Sequence, residues 1–155
     1  MIKMPMAVAL ISVGLVVPTL LMAQQVPLSP YAGQETRSIK SLSTDDIAEL
    51  QRGGGWGMAK AAELNGLPGP VHLLELQARI SMSTDQLSAI KSIFAVMKSQ
   101  AITAGEKYIA LERQLDDDFK GKTATDRTLR STLTDIAAAR QALRYIHLSA
   151  HLRTR

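Results

Sequence analysis

The chain has 155 residues, 46% hydrophobic and 21% charged, which suits one small globular domain and is too apolar for a chain disordered throughout. Two Phe, three Tyr and one Trp leave a core to be built from Leu, Ile, Ala and Met, residues suited to helix-on-helix packing. No cysteine is present, which excludes disulfides, thiol nucleophiles and cysteine-ligated metal centres and leaves His, Met and carboxylates as metal ligands.

In chain order, residues 1–23 carry Lys3 as their one charge, an apolar stretch from Met6 to Leu21, and Leu21-Met22-Ala23 as a cleavage-type end. This is expected to be a secretory signal peptide or, if uncleaved, an N-terminal anchor. Either way the remainder is exported to the periplasm, held at the inner membrane only if the segment is retained. An exported chain has no use for nucleic acid, despite its net charge of +4. Residues 24–40, with Pro27 and Pro30, read as a flexible linker, and residues 41–155 as the helical domain.

Ser43-Thr44-Asp45-Asp46 predicts a capped short helix, ended by the glycines of Gly53-Gly54-Gly55-Trp56-Gly57, which read as a flexible joint. A second short helix is expected over Met58 to Leu64. After the Leu67-Pro68-Gly69-Pro70 turn, Pro70 suits the first position of a third helix reaching Ile80. Ser83 and Gln86 then form a capping box. Leu87, Ile90, Phe94, Met97, Ala101, Ala104, Tyr108, Leu111 and Leu115 follow at alternating spacings of three and four, which predicts a helix of about 36 residues. Residues 121–124 supply a turn and Thr125 or a neighbour a cap. A returning helix carries Leu129, Leu133, Ile136, Ala139, Leu143, Ile146 and Ala150. The expected fold is all-α, a long antiparallel hairpin over residues 84–153 preceded by short helices. Its core is thin, so a homodimer is expected to cover the remaining apolar surface.

Met82-Ser83-Thr84-Asp85-Gln86 at the head of a long amphipathic helix resembles the LTxxQ motif of the Spy/CpxP family of periplasmic chaperones and stress-response proteins, whose relatives include heavy-metal sensors. Met82 stands for Leu and Ser83 for Thr, keeping an apolar staple and an N-cap. The resemblance spans roughly residues 70–155, without the second copy of the motif that family members carry. It implies an ATP-independent chaperone that grips unfolded envelope clients with basic and apolar patches. Residues 120–155 hold eight basic and two acidic side chains, against four and six over residues 84–119. Arg140 and Arg144, one turn apart, are the candidates for client contact.

His147 and His151 are spaced i and i+4, so both rings lie on one helix face and could clamp Zn, Ni, Co or Cu. His72 becomes a third ligand if its segment folds back over the open end of the hairpin, and the heavy-metal sensor relatives build sites from His residues in these two regions. The alternative is that His147 and His151 are boundary residues flanking the apolar seam. A structural partner of another envelope protein is a third reading. No enzyme is expected. His147-Leu148-Ser149-Ala150-His151 lacks the Glu a zinc protease places beside its first ligand, no Gly-x-Ser-x-Gly or P-loop occurs, and Asp116-Asp117-Asp118 point in different directions around a helix.

Overall fold

The computed structural model describes residues 29–155; the expected signal or anchor (1–23) and residues 24–28 of the expected linker lie outside the described residues. Among the described residues five helices follow in order: α1 (Thr44–Gln51), α2 (Lys60–Glu63), α3 (Pro70–Glu75), α4 (Thr84–Lys120) and α5 (Asp126–Arg153). Among the described residues the only strand-like pairing is a single bridge between Ile39 and Leu42.

The hairpin starts and turns where local chemistry dictates. Gln86 N–H donates to Ser83 Oγ at 3.2 Å while Ser83 N–H donates back to Gln86 Oε1 at 2.9 Å, satisfying two amides that helix geometry leaves orphaned. From there α4 runs 37 residues, about 56 Å at 1.5 Å per residue. Gly121 N–H donates to Asp117 O at 2.8 Å, Lys122 takes a left-handed φ of 55°, and the chain reverses. Thr125 caps α5 by accepting from Thr128 N–H at 3.2 Å.

Along the seam Ala101, Tyr108 and Ile109 of α4 form one cluster with Ile136, Ala139 and Leu143 of α5, and Met97 and Ala150 are buried as well. The small residues let the two backbones approach. Leu133, expected on this seam, is instead 47% exposed, and Thr132 is buried in its place. The buried face of α5 runs 132, 136, 139, 143, 147 and 150, a 3.6-residue period, whereas a strict heptad line drifts by about 20° per repeat on a straight helix.

The short helices cover one side of this hairpin. Leu50 of α1 lies against Gly105 of α4, where any Cβ would come within 2.7 Å of the Leu50 carbonyl oxygen, so the crossing requires glycine. Ile39, expected in the linker, is fully enclosed with Leu42 and Met58. The ordered domain therefore begins before residue 41. Ser41 Oγ donates to the buried Glu112 at 2.7 Å, and Lys40 N–H donates to Asp116 at 3.3 Å, fixing this strap along α4. Helix α3 ends at Glu75, short of the expected Ile80, which is exposed. Among the described residues no helix is long and apolar enough to cross a membrane.

These burial differences set a stability contrast. Leu143→Ala should cost about 2–5 kcal/mol, as truncation in a packed core does. Leu133→Ala should cost less than about 0.5 kcal/mol, the level of surface sites. Urea unfolding followed by circular dichroism measures both; equal costs would return Leu133 to the seam.

Candidate functional site at the open end of the hairpin

The last turns of α5 place His147 and His151 on its buried face, 3% and 5% exposed. His151 is gripped by the turn between α2 and α3. Its Nδ1 donates to the Leu67 carbonyl at 2.8 Å, and Thr154 Oγ1 donates to the Pro68 carbonyl at 2.8 Å. The Gly69 backbone lies against the ring so closely that a Cβ there would stand 2.6 Å from Nε2. This clasp carries the flanking helices with it. Glu63 at the end of α2 puts Oε1 3.8 Å from His151 Nε2 and 3.6 Å from His72 Nε2 on α3. The two imidazole rings are 6.5 Å apart, and Glu75 Oε2 lies 3.8 Å from His72 Nδ1.

The proton positions follow from the partners. A carbonyl only accepts, so His151 Nδ1 carries hydrogen and, in the neutral ring, the lone pair sits on Nε2, toward Glu63. His147, one turn earlier, borders a cavity of about 210 Å³ together with His151, Glu63, Met97, Phe94 and the Gly53–Gly55 loop. Its Nε2 is buried with no hydrogen-bond partner. Burial, and then the neighbouring His151, push its pKa below the ordinary histidine value, favouring the neutral, ligand-competent form. Burying an imidazole nitrogen without a partner carries a desolvation cost, which a ligand at that atom would relieve.

Of the sequence-predicted metal residues, the fold brings His72 and His151 to one carboxylate and sets His147 on the wall of the adjoining cavity. Among the described residues no group of three or more His, Asp and Glu side chains already stands in metal-holding geometry. The two histidine rings, 6.5 Å apart, would have to approach each other to share one ion, whereas the Glu63 contacts are nearly short enough. Tetrahedral bonds of 2.0–2.1 Å need ligand atoms about 3.3 Å apart, a few tenths of an ångström closer than the two Glu63 contacts. Glu63 and the carbonyl of Leu67 were not singled out in the sequence. Their role depends on a contact 84 positions long, and the turn residues around Gly69 were the one local hint.

The two arginines lie elsewhere. Arg140 holds its guanidinium 5.3 Å from the centre of the Trp56 ring. Trp56 takes a left-handed φ of 42°, rare for a side-chain-bearing residue, and is fixed there from two sides. Its backbone N–H donates to Glu49 at 2.8 Å and its indole N–H to Asp46 at 2.8 Å. The hydrogen bond from Ser43, then that from Trp56, hold the Asp46 carboxyl below its usual pKa. The expected flexible joint is thus held at Trp56. Arg144 lies on the exposed outer face of α5 beside Tyr145. Residues Met82, Ser83, Thr84, Asp85 and Gln86 form the head of α4, with the Ser83–Gln86 pair as its cap.

Comparison with protein-family models, curated proteins and solved structures finds no match for this chain.

Tyr108, beneath Trp56 with ring centres 5.5 Å apart, has its pKa pushed up to about 12 by burial and then by Glu112. A raised folded-state pKa means that the unfolded chain ionises first. The tyrosine's contribution to stability is then intact below pH 10 and lost as the pH rises toward 12. Alkaline denaturation should show this loss, and Tyr108→Phe should flatten it. A phenolate of Tyr108 appearing already near pH 10 in ultraviolet titration would contradict the buried setting.

Proposed function

We propose that this chain is a binding protein, not an enzyme, and that it takes a divalent transition metal at the open end of its hairpin, acting as an exported metal sensor or buffer. The observation that carries this reading is the shared position of Glu63 Oε1 between the Nε2 atoms of His72 and His151, with the His151 ring oriented by the Leu67 carbonyl. Backbone orientation of the far ring nitrogen is the outer support that metal-ligating histidines use. His72, Glu63 and His151 would hold the ion, and His147, whose Nε2 is buried without a hydrogen-bond partner, would be a further ligand. Imidazole and carboxylate donors suit Zn, Ni, Co or Cu. The metal would tie the α2–α3 segment to the end of α5. This reading agrees with the resemblance of residues 82–86 and of the hairpin to the Spy/CpxP proteins and their heavy-metal sensor relatives, and periplasmic placement is part of the proposal.

The client-holding reading keeps a specific observation of its own. The outer face of α5 carries a shallow groove of about 470 Å³ lined by Ala137, Arg140, Gln141, Arg144, Tyr145 and Leu148, with no acidic side chain among them. Tyr145 is 66% and Leu152 56% exposed. A basic, partly apolar stripe of this kind would first attract acidic unfolded segments and then hold them, or seat a second copy of the chain.

Competitive chelator titration of metal-free protein with Zn or Co distinguishes the two. His151→Ala should weaken binding by roughly a hundredfold or more and Glu63→Gln by roughly tenfold, with helix content kept. Unchanged affinity in both variants, together with aggregation suppression that falls in Arg144→Glu, would favour the client-holding reading.

A further inference from the structure

A second groove lies at the same end of the molecule and shares no residue with the histidine cluster. Leu73, Ile80 and Met82 form its walls, and Ile90 and Ile93 on α4 its floor, enclosing about 290 Å³. That volume is at the lower edge of the roughly 300–1,000 Å³ typical of small-molecule sites, which are likewise mostly apolar with a few polar groups at fixed places. Gln86, Arg153, Thr154 and Arg155 complete the lining, and no acidic side chain is among them. Neither Arg153 nor Arg155 has an ion pair or a side-chain hydrogen bond among the described residues. Ile80, at 36% exposure, leaves the apolar wall open to solvent.

An apolar slot with two unpaired guanidinium groups and no acidic side chain is complementary to an anionic amphiphile. We propose that this groove binds a single-chain anionic amphiphile, a free fatty acid of medium length, with its alkyl chain on Ile90 and Ile93 and its carboxylate at Arg153 and Arg155. The bidentate fit of guanidinium to carboxylate supplies orientation, and burial of the chain supplies affinity. The enclosed volume takes one short chain. A bilayer surface would present far more apolar area than the slot can cover.

The test uses the full chain freed of metal by a chelator, so that its result is independent of the metal site, with octanoate, 1-octanol and octylammonium as probes below their aggregation limits. Octanoate should shift the nuclear magnetic resonance signals of Ile90, Ile93 and Leu73 saturably, with octanol and octylammonium roughly tenfold or more weaker, since a hydrogen bond to a charged partner is worth that much. The R153Q/R155Q double variant, altered at exposed positions only, should bring octanoate down to the level of octanol. Ile93→Trp, which fills the floor, should remove both. Equal binding of octanoate and octanol would overturn the proposal, as would octanoate binding unchanged in R153Q/R155Q. So would sedimentation with anionic phosphatidylglycerol vesicles without saturable octanoate binding, which would make this end a membrane-facing surface.

Discussion

The arrangement at the open end of the hairpin depends on the contact between the Gly69 backbone and the imidazole of His151. A hydrogen in place of a side chain lets the turn lie on the ring, and that proximity puts the Leu67 carbonyl in reach of Nδ1 and the Pro68 carbonyl in reach of Thr154. Helix α3 also packs on α4, but the Gly69–His151 contact is what ties the turn between α2 and α3 to the end of α5, beside which Glu63 faces two histidines. A helix terminus that would ordinarily fray is instead a fixed point to which other segments are tied.

The polar groups the fold buries form two groups with different chemistry. Around Trp56 the buried polar atoms are partnered: Ser41 bonds Glu112, the indole bonds Asp46, and Arg140 covers the ring face. Such a satisfied network specifies a unique packing and asks for no ligand. At the open end, His147 Nε2 is buried and unpaired, and Glu63 stands slightly too far from either histidine for a good hydrogen bond. Incomplete satisfaction beside a cavity is where a ligand gains most. That contrast, more than the number of histidines, locates the metal reading at His72, Glu63, His147 and His151.

Legibility from sequence followed the range of the interaction. The capping pairs Ser83–Gln86 and Thr125–Thr128 and the Gly121 turn operate within a few residues, so the bounds of α4 and α5 could be read almost to the residue. Ile39 could not be placed, because a lone apolar residue between Ser38 and Lys40 has no period, and only its burial against the hairpin shows its role. Leu133 misled for a geometric reason, the drift between a 3.5 and a 3.6 repeat. The i, i+4 pair of histidines was visible, but their enclosure, and the approach of Glu63 and His72, are tertiary facts. Arg140 read as a free surface cation because nothing local announces the Trp56 ring beneath it.

The central claim is that an ion at the open end is held by more than one imidazole and a carboxylate of this chain. X-ray absorption spectroscopy of the cobalt-loaded protein tests it most directly. The account predicts a four- to six-coordinate centre with the outer-shell scattering of at least two imidazoles, reduced by one in His72→Ala. A spectrum fitted by oxygen ligands alone, identical in the wild type and in His151→Ala, would contradict it.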